Sequence, residues 1–137
     1  MRIVALIAAA AVAGCAAKTP ATLPVLANDN RTPAGTMQDG MLSLDLEART
    51  GQWQPDGPLR AILEVPVFAE TGRPPQAPGP LIRVPAGTRL VVRVSNHLQV
   101  AIDVHGLHDR PGHTDDKLTL AAGASQELRF ASGPPGT

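Results

Sequence analysis

The segment from residue 78 to residue 108 constrains the fold of this chain most, because two β-strand patterns follow each other there between Gly/Pro turns. From Leu90 to Val94 every second side chain is a large apolar one, which is the period-two pattern of a half-buried strand. Residues 100–105 alternate in the same way, so Asp103 and His105 are expected to share the outward face. Both patterns predict strands that cover a core with one face only.

Strand patterns also occupy most of the chain on either side of this segment. They are Met41–Arg49, Leu59–Phe68, Leu118–Leu120 and Gln126–Ala131. The first alternates most regularly, with leucines inward and polar residues such as Glu47 outward, while Pro66 in the second indicates an edge position or a bulge. Trp53 lies between these two strands and is expected to anchor the core or the turn. About seven strand patterns at short spacing, without a convincing helix, predict an all-β, antiparallel sandwich of one domain.

Composition agrees with a turn-rich β fold and excludes some partners. The 13 glycines and 14 prolines are dispersed between the strand patterns, as expected for turns rather than for a low-complexity tract. Lys plus Arg and Asp plus Glu balance at 12 each, so no charge excess favours nucleic acid, and we expect no such partner.

The N-terminal segment has the features of an export signal. A basic start and a short apolar run precede the sequence VAGC, which ends at Cys15 and resembles a bacterial lipobox. Residues 1–15 are therefore predicted to be a lipoprotein-type signal, with Cys15 as the lipidated residue and a membrane anchor. An ordinary secretory signal that is cut nearby is the alternative. The chain is expected to be exported to the periplasm, and Ala16 suggests anchoring in the outer membrane by resemblance to bacterial sorting.

The predicted domain organisation follows from these observations. Residues 16–38 are rich in Ala, Pro, Thr and Asn without periodicity, which predicts a flexible linker. Residues 39–137 are predicted to form the folded domain.

The sequence PGPLIRVPAGTRLVVRVSNHL followed by HGLH resembles the N-terminal, plastocyanin-like cupredoxin domain of the multicopper oxidases. Asp115–Leu118, Ala122–Phe130 and Gly136-Thr137 resemble later motifs of the same domain, so that the similarity covers about residues 58–137. The resemblance implies a cupredoxin-like Greek-key β-sandwich. It also implies that the domain is incomplete, because the family's last strand would follow Thr137, and that further cupredoxin domains belong to the whole protein.

The resemblance implies copper ligands at the end of the second strand. In the family, the motif H-x-H-G supplies one ligand to a type 2 copper and one to a type 3 copper. Here His105 takes the second position, whereas the first is Asp103, a poorer copper ligand that could instead hold a histidine ring or be solvated. His108 is a further candidate if the strand ends at Gly106. We expect His97 to be a strand-end residue and His113 a solvated loop residue.

The single cysteine limits the chemistry of the chain. A type 1 copper site needs a cysteine thiolate, and none remains after Cys15. The chain alone is therefore expected to have no oxidase activity. Three interpretations stay open: a copper-binding domain of an exported multicopper oxidase, a copper-free cupredoxin scaffold for protein interactions at the cell envelope, and a lipoprotein that binds metal without redox turnover.

Overall fold

The computed structural model describes residues 22–109 and 117–134, and in these ranges the chain forms strands and turns but no helix. The strands are β1 (Leu23–Pro24), β2 (Leu26–Ala27), β3 (Thr36–Gln38), β4 (Met41–Trp53), β5 (Leu63–Glu70), β6 (Gln76–Ala77), β7 (Arg89–Asn96), β8 (Ile102–His105), β9 (Lys117–Leu120) and β10 (Ser125–Ala131). The prediction of an all-β fold is confirmed. In the described part of the chain, nothing helical is long and apolar enough to span a bilayer.

The largest sheet is built around the long strand β4. It contains β1, β4, β7 and β10 in that order, and β3 and β5 pair with β4 as well. Strand β4 runs parallel to β7, with Leu44 opposite Val92, while β7 and β10 are antiparallel. The purely antiparallel sandwich predicted from the sequence is therefore wrong for β4–β7. The chain between these strands makes a long crossover through β5 and β6, and only such a crossover allows parallel pairing.

The core lies between this sheet and the hairpin of β8 and β9. Its buried members are Ala34, Leu42, Leu44, Leu46, Leu90, Val92, Val94, Val104 and Leu120. The inward faces predicted for β4 and β7 are confirmed, because alternate residues of both strands belong to this cluster. Each leucine or valine of this cluster contributes about 1.5–3 kcal/mol when fully buried. Val100, predicted to point inward, is 64% exposed because β8 begins only at Ile102.

Part of the predicted linker belongs to the folded domain. Within residues 22–38, β1 pairs with β4 at Gly51 and Gln52, and β3 pairs with β4 at its other end. These strands have only two or three residues, too few for an alternating pattern to appear in the sequence. Their backbone groups are satisfied by β4, so the fold extends further toward the N-terminus than residue 39. The predicted signal at residues 1–15 lies outside the described residues.

The second strand and its flanking turn also differ in detail from the prediction. Strand β5 begins at Leu63 rather than Leu59, and among the described residues it pairs only with β4, as the edge position of Pro66 requires. Trp53 ends β4 opposite Leu63 and is 38% exposed, so it is not a core residue. Glu47, predicted to point to solvent, is only 9% exposed.

Candidate metal site

The predicted metal ligands lie on the outward face of the β8–β9 hairpin. Asp103 and His105 alternate with Ile102 and Val104 and are exposed, as the sequence predicts. The antiparallel register sets Asp103 opposite Thr119 and His105 opposite Lys117. Two residues of each strand therefore form a small polar surface over the core.

Asp103 is engaged by the neighbouring strand. Lys117 Nζ donates a hydrogen bond of 2.8 Å to one carboxylate oxygen, and Thr119 Oγ1 donates one of 2.6 Å to the other. Both hydrogen bonds hold the pKa of the Asp103 carboxyl below its ordinary value, and the bond from Lys117 has the larger effect. We call Asp103, Lys117 and Thr119 the cross-strand clasp. A metal at Asp103 would have to displace an ammonium group from this clasp.

His105 and His108 lie on either side of a turn. Strand β8 ends at His105, and Gly106 adopts a positive φ of 85°, a conformation that glycine takes easily. The side chain of His105 is exposed, whereas His108, three residues on, is half-buried. The strand thus ends one residue before Gly106, where the prediction for His108 placed its end, and the role of His108 as a ligand stays a prediction.

The described residues do not make a complete metal centre by themselves. Within residues 22–109 and 117–134, no three His, Cys, Asp or Glu side chains are grouped so that they could hold an ion. The clasp occupies the carboxylate that would stand beside His105. His113 and Cys15 lie outside the described residues. A copper ion at His105 would need ligands from outside the described residues.

A second polar cluster lies on the outer face of the main sheet and was not predicted. Arg49 Nη1 donates to Glu47 Oε1 at 2.8 Å, and both side chains are largely buried. His97 directly follows β7, and its Nε2 lies 3.7 Å from the other oxygen of Glu47. Opposite charges two residues apart on one strand were visible in the sequence. The approach of His97 depends on the parallel pairing of β4 and β7, which has no such signal.

An apolar groove of about 430 Å³ opens beside the candidate site. Its lining includes Ala48, Pro66, Phe68, Pro78, Leu98 and Ile102, and Asp103 lies at its margin. Strand β5 contributes the exposed residues Pro66 and Phe68, and β8 contributes Ile102. The groove adds no further metal-ligating group to the candidate site.

Comparisons with known proteins identify the type of domain. Among solved structures, a multi-copper oxidase from Pediococcus acidilactici matches 83% of this chain at a TM-score of 0.52 with 13% identity. A laccase from the same organism matches 84% at 0.51, also with 13% identity. A multicopper oxidase from Campylobacter jejuni matches 82% at 0.49 with 21% identity. At such identities the likeness concerns the fold alone, which is a cupredoxin-like β-sandwich.

Part of the sequence matches a family model. Residues 72–127, which run from the loop after β5 into β10, match the multicopper oxidase family model. This stretch of the cupredoxin-like domain is therefore similar to the multicopper oxidase family. It covers only 29%, 26% and 22% of the length of the three solved proteins. No curated protein sequence matches it.

Proposed function

We propose that this chain supplies the N-terminal cupredoxin domain of an exported multicopper oxidase and contributes His105 to a copper centre shared with other parts of the protein. The observation that carries the proposal is the family match over residues 72–127, which includes an exposed imidazole at the end of β8, directly before Gly106. Imidazole suits copper, and an exposed ligand at a strand end is accessible to a neighbouring domain.

The proposed site is a partial one. His105 takes the position of a type 3 ligand by resemblance, and the clasp at Asp103 argues against a type 2 ligand there. His108, beyond the turn at Gly106, is the second proposed ligand. Copper, when bound, would supply the one-electron chemistry that couples oxidation of a reducing substrate to reduction of dioxygen in the whole protein. The chain's own residues would hold and orient the metal.

We further propose that the chain is a periplasmic lipoprotein, anchored to the outer membrane through Cys15. The support is the signal-like sequence of residues 1–15, with small residues directly before the cysteine. Since lipidation would occupy this thiol, no cysteine would remain for a type 1 copper. The chain alone would therefore bind metal at most and would not turn over a substrate.

A copper-free cupredoxin scaffold is the second candidate, and the cross-strand clasp favours it. Both oxygens of Asp103 are engaged by β9, so the hairpin is fastened without a metal. A scaffold of this kind would act through its surface in protein interactions at the envelope.

Copper titration of the purified full chain tests the first proposal. We expect His105→Ala to lower the affinity for Cu²⁺ at least about tenfold, as loss of one direct ligand does, and His113→Ala to have a smaller effect. The measurements are calorimetry and electron paramagnetic resonance of the bound ion. Equal effects of both substitutions would contradict the assigned site, and absence of copper binding would favour the scaffold. Turnover of a phenolic substrate by the chain alone would contradict its proposed inactivity.

A further inference from the structure

Large apolar side chains are exposed together in the turn between β4 and β5. Leu59 is 97% exposed, Ile62 56%, Leu63 45% and Trp53 38%. We call residues 53–63 the hairpin tip. Exposed large apolar residues that are scattered singly are normal on a protein surface, but a group in one turn marks a contact surface.

The hairpin tip has a defined shape. Trp53 and Leu63 are opposite each other in the antiparallel register, so their side chains lie on the same face. Gln54 Nε2 donates to the carbonyl oxygen of Arg60 at 3.2 Å, and the amide of Arg60 donates to the carbonyl of Gly57 at 3.1 Å. These bonds close the turn, so its backbone does not need to be ordered before its apolar side chains make a contact.

The charge of the tip is balanced. Its charged side chains, Asp56 and Arg60, have opposite signs. A lipid headgroup region therefore meets no net repulsion there. Tryptophan in particular prefers the boundary between headgroups and acyl chains, because its ring is apolar and its N–H finds a polar partner.

The N-terminal chain enters the domain close to this tip. Strand β1 begins at Leu23, which pairs with Gly51, only two residues before Trp53 on β4. From Cys15 to Thr22 there are seven residues, which can span at most about 25 Å. Because β1 is parallel to β4, the residues before Leu23 approach from the Met41 side. A tether of this length can still turn back to the tip, whereas the Met41 end of β4 lies about 33 Å from Gly51, beyond its reach.

We propose that the hairpin tip docks onto the lipid bilayer to which Cys15 anchors the chain. This inference rests on the proposed lipid anchor and goes beyond it, because it fixes which end of the sandwich faces the membrane. A short tether raises the effective concentration of the tip at the bilayer, so a modest apolar contact suffices to keep it there. The tip would add an oriented contact to an attachment that the lipid on Cys15 provides.

The single tryptophan of the chain makes the contact directly measurable, because Trp53 lies in the tip. The full chain is purified with its lipid on Cys15 verified by mass spectrometry and reconstituted into phosphatidylethanolamine/phosphatidylglycerol vesicles. We expect the acrylamide quenching constant of Trp53 to be at least about twofold lower than in the unlipidated Cys15→Ser chain in buffer. Lipids brominated in their acyl chains should quench its emission.

Two matched variants locate the contact. Leu59→Asp places a charge on the most exposed tip residue and should abolish quenching by the brominated lipids. Met37→Asp places the same charge on another exposed apolar residue, 47% accessible, which pairs with Leu42 at the opposite end of β4. This control should leave the quenching unchanged, and circular dichroism verifies that both variants fold.

The possible outcomes distinguish the docking proposal for the hairpin tip from the proposal of a lipid anchor on Cys15. If the chain carries lipid on Cys15 but Trp53 stays accessible to acrylamide, the docking proposal is wrong and the anchor proposal stands. A Trp53 that is shielded from acrylamide but not quenched by the brominated lipids would also contradict docking onto the bilayer. A chain without lipid overturns the anchor and, with it, the docking proposal. Equal losses of quenching in both aspartate variants would also contradict a contact at the tip. Copper binding at His105 is independent of each of these results.

Discussion

Two carboxylates at outward strand positions are paired with cations in this domain, and their surroundings differ. Glu47 on β4 bonds Arg49 at 2.8 Å, and only 11% and 13% of the two side chains are exposed. Asp103 on β8 bonds Lys117 at the same distance, but 40% and 49% of those side chains are exposed. The distance is equal, yet the dielectric around the charges is not. Water screens the Asp103 pair, while the Glu47 pair is largely withdrawn from water.

The difference follows from what covers each strand. Ala69, the register partner of Glu47, is fully buried, and Val25 and Pro75 lie over Gly51 further along the same face of β4. The β8–β9 hairpin covers the core with one face and exposes the other. A buried pair is costly to break because the remaining charge keeps its desolvation penalty. We therefore expect the two pairs to respond very differently to the same kind of substitution.

The largest effect is expected for Glu47→Gln. Arg49 would lose its carboxylate partner in a largely buried position, which should lower the free energy of unfolding by about 3 kcal/mol. Urea unfolding of the variant and the wild type measures the difference. A matched control is Glu127→Gln, which removes an exposed pair with Arg129 and should change stability very little. Similar losses in both variants would contradict the contrast between buried and exposed pairs.

A smaller effect is expected for Gly51→Ala, which tests the cover over the Glu47 face. A Cβ at this position would lie 2.6 Å from Val25 Cγ2 and 3.1 Å from Val67 Cγ2, so the neighbouring chain would have to move. Overpacking of this kind should lower stability by about 1–3 kcal/mol. Gly40→Ala is not a suitable control because of its positive φ of 73°. The double substitution Gly51→Ala/Val25→Ala should restore part of the loss, and no restoration would show that Val25 does not cover this face.

The residues that cover the Glu47 face of β4 also show how far the sequence could predict the structure. Alternation identified the inward faces of β4 and β7, because leucine or valine at every second position has no other simple interpretation. It could not show that Glu47 is buried, since the residues near the cover, such as Val25, lie in a segment that reads as a linker. Strands of two residues have no periodicity, and they fold here only because β4 offers them a free edge.

The candidate site was predictable in part for a similar reason. The shared face of Asp103 and His105 follows from alternation within one strand. The clasp depends on the register between β8 and β9, which is a long-range property. In the sequence KLTL, Lys117 and Thr119 alternate with leucines and could have been assigned to an outward face. Their meeting with Asp103 required the pairing itself.

The smallest effect is expected for Asp103→Asn, and its dependence on pH sharpens the comparison. Lys117 and Thr119 lower the pKa of Asp103 in the folded chain below the ordinary value of 3.8. A carboxyl with a lowered folded pKa contributes stability above its unfolded pKa and loses it as the pH falls through the folded pKa. The variant should therefore be slightly less stable than the wild type at neutral pH and indistinguishable from it in strong acid.

Urea unfolding of both proteins between neutral and strongly acidic pH measures this difference, with Asp39→Asn as the control for a surface carboxylate on the main sheet's β3–β4 turn. A deficit of Asp103→Asn that persists unchanged in acid would contradict the electrostatic account of the clasp. A deficit as large as that of Glu47→Gln would contradict the comparison itself, because solvent would then fail to screen an exposed pair.

If the hairpin is stable without the carboxylate, position 103 can be replaced by histidine. Asp103→His would then test directly whether an imidazole pair on β8 raises the affinity of the chain for Cu²⁺.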